Sequence, residues 1–324
     1  MKKLLVFLFF LALAIVSTAE ACDFCTFSQG MSPLQTFTGT GIRVNERYTL
    51  LNSVYNGTNK VNNSSPQGLS AKEEYWTTEI TGFHNITEDI MLLAVIPLKK
   101  TKVDGHFHVH KDGSYGWHAD TGGAEGLGDI AVMGRYTFLR THTMDTTTMI
   151  AGIAGIRFPT GKTDSRADDG AFLDSHLQLG TGSTDYVMGL SVSHVVDRFS
   201  LAANLLDVIP TEGQFGDTRH QFGNTLNYDV TTRYRLFPDV SGPSTTQLYF
   251  SLGVNGELRQ KEKERGVKVA NSGGHTVYIT PGVQLVAASH WMFEFTYQHA
   301  VYHNIYGTQL AEDYRANGAV TYLF

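Results

Sequence analysis

The sequence is short of charge, of cysteine and of long apolar runs. Only 17 % of its 324 residues are charged, against about 25 % in an average soluble protein. The net charge of −6 leaves no excess of basic residues, which excludes a typical nucleic-acid-binding protein. Beyond the first 21 residues no stretch approaches the ~18 apolar residues of a membrane-spanning helix. With 42 % hydrophobic residues, the chain is not a disordered acidic polypeptide either.

Glycine and aromatic residues are what the sequence has in quantity. It contains 33 Gly, 15 Tyr and 19 Phe. Aromatic side chains fit the pleated surface of a sheet, and glycine serves the turns between strands. The composition therefore favours β structure.

The first 21 residues have the pattern of a secretory signal peptide. A lysine pair precedes an apolar run over residues 4–16, and the triplet 19–21 has the small-x-small pattern of a cleavage site. The run is too short to span a bilayer. A lipoprotein with Cys22 as the modified residue is the alternative, but Glu20 fits that signal poorly. We expect a periplasmic segment at 22–37 and a folded domain at 38–324.

Short segments that alternate between apolar and polar residues recur along the mature chain. In one of them Leu248, Phe250 and Leu252 share a face, while Ser251 and Glu257 lie on the other. About twelve such segments lie near 38–51, 73–84, 89–102, 128–140, 147–160, 183–196, 199–210, 221–236, 245–261, 274–288, 291–304 and 315–324. The links between them alternate between long polar loops and mostly short turns, which is typical of an outer-membrane barrel.

A secreted β-sandwich also alternates, but its apolar face would be mainly Val, Ile and Leu. Here Tyr and Phe stand near the strand ends, and Arg and carboxylates occupy the opposite face. Twelve long strands also exceed a normal sandwich. The sequence predicts an all-β fold, a closed antiparallel transmembrane β-barrel of about 12 strands, in the outer membrane of a Gram-negative bacterium.

The last segment supports this prediction. The chain ends in Phe324, with Tyr322 and Val320 on the same face. This pattern resembles the recognition signal of bacterial outer-membrane proteins, so we expect outer-membrane lipids and the barrel assembly machinery as partners. Only a closed barrel satisfies every backbone group in lipid without helices. An even strand count would place both termini in the periplasm and the long loops outside.

The polar faces of the strands are the candidate functional surface. Charged side chains in a confined channel would filter solutes electrostatically; the alternative is a ladder of ion pairs that fills the barrel. Because a shift of one residue exchanges the two faces, the prediction depends on register. The predicted pore-lining residues are Arg43, Arg47, Glu79, Arg135, Arg157, Asp229, Arg233, Arg235, Glu257 and Glu294.

Two further clusters are candidates for metal or redox chemistry. His106, His108 and His110 share one face of an extended segment and suit zinc, copper or nickel; a solvated polar hairpin is the alternative. Cys22 and Cys25 form either a small-loop disulfide or two surface thiols, and a redox or metal role stays open. No second CxxC completes a zinc site. We expect no cofactor.

The remaining candidate is an acidic loop at 163–170, which lacks the full calcium-binding pattern. It is either a solvated loop or a loop folded inward to narrow the pore. Catalytic signatures such as GxSxG and HExxH are missing from the sequence. We therefore expect that the protein is not an enzyme.

Three motifs carry a resemblance to a known family. They are Gly126-Leu127-Gly128-Asp129-Ile130, Arg157-Phe158-Pro159-Thr160-Gly161-Lys162, and the Leu-Gly-Thr-Gly-Ser-Thr-Asp run at 179–185. In this order they resemble bacterial outer-membrane proteins of the meta-pathway phenol-degradation type, over roughly residues 70–324. The resemblance implies an outer-membrane barrel for uptake or export of small molecules, with no catalytic residues to transfer.

Together these observations predict a porin-like channel or transporter for passive or facilitated passage of small molecules, aromatic or hydrophobic compounds among them. The alternative is a metal-binding or structural surface protein that uses the His-rich exterior loop. A barrel hydrolase is less favoured, because Ser and His from adjacent strands would have to meet and no motif requires this.

Overall fold

The computed structural model describes residues 39–64, 69–109, 115–216, 218–238, 246–288 and 290–324, with only the backbone between 106 and 120. The predicted signal peptide, Cys22, Cys25 and His110 lie outside the described residues. The described part is almost entirely β structure. Its strands are β1 Thr40–Gly57, β2 Asn59–Val61, β3 Lys72–Asn85, β4 Ile90–Val109, β5 Tyr115–Leu127, β6 Ala131–His142, β7 Thr146–Arg157, β8 Asp185–Val196, β9 Phe199–Pro210, β10 Gly213–Phe215, β11 Thr218–Gln221, β12 Thr225–Phe237, β13 Thr246–Arg259, β14 Lys263–Glu264, β15 Val267–Lys268, β16 Gly274–Ala287 and β17 Trp291–Leu323.

The long strands close into one antiparallel barrel. Its order is β17-β16-β13-β12-β9-β8-β7-β6-β4-β3-β1, and β17 pairs with β1 to close the ring. At the closure Gly41 lies opposite Leu323, and the register continues along β1. Each of these strands therefore pairs with a neighbouring strand on both sides, as a closed barrel in a bilayer requires.

The last element, β17, contains two arms. Its first arm pairs with β16, from Trp291 opposite Ala287 to Ile305 opposite Gly274. Its second arm pairs with β1 between Ile305 and Leu323. The chain reverses near Gly307, which has the positive φ of 65° that glycine favours. The eleven long elements of the described chain thus supply twelve wall strands, in agreement with the sequence prediction.

The two ends of the barrel differ. At one end, which we call the short-turn end, tight links such as 86–89, 143–145 and 197–198 join the strands. At the other, the long-loop end, β4 and β5 form a hairpin that extends beyond the pairing of β4 with β6. There β10, β11, β14 and β15 form a small separate sheet. The residues 40 and 323 that bound the barrel both lie at the short-turn end.

One prediction needs correction. The segment 103–127 was expected to be a loop, whereas β4 runs to Val109 and Tyr115–Leu127 forms β5. This strand carries glycines at 122, 123 and 126 and no regular apolar alternation, so its sequence shows no strand periodicity. Its register comes from pairing with β4 instead, from Leu98 opposite Leu127 outward.

The outer surface of the barrel is apolar. Large apolar side chains such as Leu92, Val132, Leu201, Leu252 and Val283 are 40–48 % exposed and point outward, each beside a buried inward neighbour. Exposed aromatic residues gather toward the short-turn end, as the aromatic girdle of a membrane barrel does. These are Tyr136, Phe138, Phe199, Tyr234, Phe237, Phe250, Trp291, Phe293, Phe295 and Phe324. This continuous apolar belt is a lipid-facing surface.

Helices contribute almost nothing to the fold. The described chain has one 3₁₀ turn, Ser175–Leu177, and none of its helices is long and apolar enough to cross a membrane.

Candidate functional site in the barrel lumen

The structure places the ten predicted pore-lining residues on the inner face of the wall. Nine of them are at most 9 % exposed. The tenth, Arg235, is half-buried at the short-turn end, where it forms a 3.6 Å ion pair with the exposed Asp197. Side chains fill the lumen at the level of the buried residues. That these residues line an open path stays a prediction.

One half of the inner wall is polar and built from ion pairs. On β1 and β17, Arg43 meets Glu294 at 2.9 Å. Farther toward the long-loop end, Arg315 donates to Glu257 at 2.6 Å and also pairs with Glu312. Arg259 joins this group through Glu257.

Packing and hydrogen bonds fix the position of the group around Arg315. The fully buried Tyr278 donates a hydrogen bond to Glu312 at 3.0 Å. The guanidinium of Arg315 lies 4.7 Å from the centroid of the Tyr278 ring. Removing one charge from such a group would leave its partner buried without compensation. This half of the wall therefore corresponds to the ion-pair ladder that the sequence left as an alternative to a filter.

Sequence reasoning missed part of this group. Arg259, Glu312 and Arg315 were not selected, although the alternation of their strands already places Arg259 on the face of Glu257 and Arg315 on the face of Asn317. Asp185, the last residue of the third motif, was also missed as a site residue. Its carboxylate accepts a hydrogen bond from Arg157 Nε at 2.7 Å.

The other half of the inner wall contains a contiguous apolar cluster, which the sequence analysis did not anticipate. Its residues lie on β3, β4, β6, β7, β8 and β9, point inward and are at most 6 % exposed. We call this cluster the apolar strip. It consists of Phe83, Met91, Leu93, Val95, Ala131, Met133, Ile153, Val187, Leu206 and Val208. It runs along the wall from Val208 near the long-loop end to Phe83 near the barrel closure.

Arg135 interrupts the apolar strip near the short-turn end. Its neighbours across the sheet are Met91 on β4 and Ile153 on β7. It is 7 % exposed, and its buried Nε–H has no hydrogen-bond acceptor among the described residues. It forms no ion pair within the described chain. A buried cation in this setting carries a desolvation cost with no internal compensation.

The segment 158–184, which we call the mouth loop, folds into the barrel at the long-loop end. Its Leu173, Leu177 and Leu179 are buried against Val103 and Ala124 of the β4–β5 hairpin. The inward-facing Thr101 donates to the Leu177 carbonyl at 2.9 Å. The acidic stretch 163–170 stays exposed to half-buried, with Asp164, Asp168 and Asp169 exposed, so the solvated-loop interpretation fits this stretch, and the part of the mouth loop that folds inward is 173–179.

The three sequence motifs form the anchor of the mouth loop. The Asp129 carboxylate accepts hydrogen bonds from the Gly161 amide (2.9 Å), the Thr181 amide (2.6 Å) and the Thr181 hydroxyl (2.8 Å). Gly161 and Gly180 pack directly on each other, so that a Cβ on Gly161 would lie 2.6 Å from the Gly180 Cα. The spacing of the motifs thus reflects a structural latch between the β5–β6 link and the loop.

A recess opens beside the mouth loop. We call it the mouth recess; it has a volume of about 530 Å³ including its open side. Three cationic side chains line it, Lys99, Arg157 and Arg259, with one carboxylate, Glu262. Phe222, Pro210 and Val208 form its apolar side. Since Val208 also belongs to the apolar strip, the recess and the strip are continuous.

The predicted metal site is outside what the structure describes. The backbone of His106 and His108 lies in β4, but their side chains and all of His110 are not described. Among the described side chains, no three His, Cys, Asp or Glu residues gather as metal ligands would. The metal-binding interpretation stays a prediction. His194 is a residue of the type that a hydrolase would use as its base, and its Nδ1 lies 2.7 Å from the hydroxyl oxygen of Thr148.

The wall, its apolar belt and its inward-facing side chains define a bacterial outer-membrane β-barrel. The chain belongs to the family described as "Putative MetA-pathway of phenol degradation", whose pattern matches residues 53–307. This confirms the family resemblance drawn from the motifs. No curated protein sequence matches the chain.

Solved structures show the same architecture. An outer-membrane channel from Pseudomonas putida F1 has a TM-score of 0.63 at 13 % identity, over 90 % of this chain and 98 % of that one. The monoaromatic hydrocarbon channel CymD has a TM-score of 0.41 at 10 % identity, with 89 % of each chain covered. The toluene transporter TodX of Pseudomonas putida has 0.36 at 10 %, with 95 % and 94 % covered. The first likeness supports the fold, and the other two are too low to add to it.

Proposed function

We propose that this protein is an outer-membrane channel for small, largely apolar molecules, aromatic compounds among them. The observation that carries the proposal is the apolar strip on the inner wall. A barrel that passed only hydrated solutes would have no need of ten inward-facing apolar side chains, since hydrated solutes pass along polar walls. Family membership agrees with this proposal, because the family is named for phenol degradation.

The strip connects the two ends of the barrel. Solutes enter the mouth recess, meet its apolar side at Phe222 and Val208, and pass along Leu206 and Met133 toward Phe83. Because side chains fill the lumen, passage requires them to move. Met91 and Met133 suit this role, since methionine is unbranched and adapts to irregular partners.

We further propose how the barrel sits in the membrane. The mature chain is inserted by the barrel assembly machinery through the strand that ends at Phe324, after removal of residues 1–21. The short-turn end, which holds the residues 40 and 323, faces the periplasm. The mouth loop then faces the exterior. The segment 22–37 precedes the barrel on the periplasmic side.

Uptake into proteoliposomes tests the channel. Purified protein is reconstituted, and entry of toluene-sized aromatic compounds and of a sugar of similar mass is followed by stopped-flow fluorescence. We expect faster entry of the aromatic compounds than in protein-free vesicles, and no gain for the sugar. Equal entry with and without protein would contradict the proposal.

A pair of matched variants tests the route. Met133→Gln puts a polar amide of similar size into the apolar strip, where Met133 is 2 % exposed. Met144→Gln makes the same change in a short turn, at a fully exposed side chain. We expect several-fold slower aromatic uptake for the first variant and unchanged uptake for the second. Equal rates would place the route elsewhere.

A further inference from the structure

Charged side chains lie at both ends of the apolar strip. At the long-loop end the strip meets the mouth recess, which is lined by Lys99, Arg157 and Arg259; of these, Arg157 pairs with Asp185 and Arg259 with Glu257. Near the short-turn end it meets Arg135, whose buried guanidinium has no carboxylate partner in the described chain. Cations therefore stand at both ends of an apolar surface.

The surroundings of Arg135 make this arrangement costly in the empty protein. Met91, Met133 and Ile153 around it offer neither a negative charge nor a strong acceptor. An isolated buried charge is unfavourable unless a counter-ion or hydrogen-bond acceptor compensates it. Elsewhere on the inner wall Arg43, Arg157 and Arg315 each have such a carboxylate. Arg135 has no such carboxylate partner in the described chain, and a solute that carries a carboxylate can supply one.

We propose that the solutes of this barrel include small aromatic molecules with one carboxylate group, and that Arg135 is the specificity-determining residue that receives the carboxylate in the lumen. A guanidinium presents a planar fork of donors that matches the two oxygens of a carboxylate. The aromatic body of the same molecule lies against Met91, Met133 and Ile153. The mouth recess collects such anions, with the ring against Phe222 and the charge toward Lys99. This inference rests on the proposed channel function.

Benzoate and benzamide are the probes, because they share a shape and differ in charge at neutral pH. Binding of each to the purified full-length protein in detergent is measured by isothermal titration calorimetry for wild type, Arg135→Met and Arg135→Lys. We expect benzoate to bind wild type at least ten-fold more tightly than benzamide does. Arg135→Met should lose at least ten-fold in benzoate affinity while its benzamide affinity is unchanged, and Arg135→Lys should recover part of the loss.

Arg140→Met is the matched control. Arg140 lies on the same strand, but it is partly exposed and pairs with Glu88 and Asp89 at the short turn. We expect its benzoate affinity to equal that of wild type. Arg135→Met should also resist unfolding at least as well as wild type, because it removes an uncompensated charge. Loss of benzoate and benzamide binding together, or a large loss of stability, would show that Arg135 is a structural residue.

Uptake measurements separate this inference from the channel proposal. If neutral aromatic compounds enter proteoliposomes and benzoate binds no better than benzamide, the inference about Arg135 fails and the channel remains. If no aromatic compound enters faster than in protein-free vesicles, the channel proposal itself fails. Tight benzoate binding that depends on Arg135, with uptake of benzoate that Arg135→Met slows, supports both.

Discussion

The side chains that fill the lumen are held in place by different interactions in the two halves of the inner wall. On β12, β13, β16, β17 and β1 the inward side chains are polar and hold each other by ion pairs and hydrogen bonds, as around Arg315. On β4, β6, β7, β8 and β9 most of the apolar strip packs by apolar contact, beside inward polar residues such as Ser191 and Asn204. Removing one member of a buried ion pair is strongly destabilising, because its partner stays buried without compensation. Apolar contacts, in contrast, adapt to a change of shape. The comparison teaches that the apolar half is the side able to rearrange around a passing solute.

The largest effect should come from breaking the polar half. Arg315→Met removes one of the two cations that Glu257 and Glu312 share, which leaves Arg259 alone against two buried carboxylates, and loss of one member of a buried ion pair costs about 4 kcal/mol. We expect a matching fall in the free energy of unfolding by urea in lipid vesicles, followed by tryptophan fluorescence. Adding Glu257→Gln to the variant should restore part of the loss. An unfolding curve like that of wild type would show that the lumen is wet.

A smaller effect is expected from truncation in the apolar half. Leu206 is 2 % exposed and points into the strip, so Leu206→Ala removes apolar contact and leaves a cavity, at a cost of about 3 kcal/mol. Its neighbour Leu205 points to lipid, and Leu205→Ala loses only the transfer free energy of its methyl and methylene groups, about 2 kcal/mol. The same urea experiment compares them. A cost for Leu206→Ala no larger than for Leu205→Ala would mean that the strip is loosely packed.

A smaller loss of stability is expected when the hydrogen bonds that Asp129 accepts from the mouth loop are removed. Asp129→Ala leaves the Gly161 and Thr181 donors without their shared acceptor, and buried donors without acceptors cost about 2 kcal/mol. We expect faster proteolysis within the mouth loop and a higher ionic conductance in planar bilayers. Asp164→Ala, at an exposed position of the same loop, is the control and should change neither. Unchanged proteolysis of Asp129→Ala would contradict a latch.

The smallest effect belongs to the outer surface at the long-loop end. Lys100 pairs with Glu125 at 2.9 Å, but both side chains are more than half exposed, and such pairs contribute between about 0 and 1 kcal/mol. Lys100→Met should leave the urea midpoint within error of wild type. A large shift would show that this pair is buried by a contact that the isolated chain lacks.

Much of the wall could be predicted from the sequence, because the alternation of apolar and polar residues within each strand separates the two faces of the sheet. The segment predicted at 199–210 coincides with β9, and those at 73–84 and 274–288 match β3 and β16 within one residue. The segment at 315–324 began late, because the second arm of β17 starts in polar residues such as Thr308 and Gln309 that break the alternation. The hairpin partner β5 was missed for a related reason, since its glycines carry no pattern.

The candidate site was less predictable. Alternation identified Arg43, Glu257 and Glu294 as inward-facing, because that depends on neighbouring residues alone. It could not show which strands stand side by side, so the grouping of apolar residues from β3 to β9 was invisible. Residues such as Met91, Leu93 and Met133 resemble lipid-facing residues when each strand is considered alone. Their inward position depends on a register that only pairing across the barrel determines.

The sequence by itself determined the β periodicity, the strand count and the motifs of the mouth loop, because these are local properties of a chain with side chains on alternate faces. Only the tertiary structure decided that an apolar strip gathers on one side of the lumen and ion pairs on the other, that the motifs converge on Asp129, and that Arg135 is buried with no carboxylate partner among the described residues. These follow from which strands become neighbours when the sheet closes, and closure brings together residues that lie far apart in the chain.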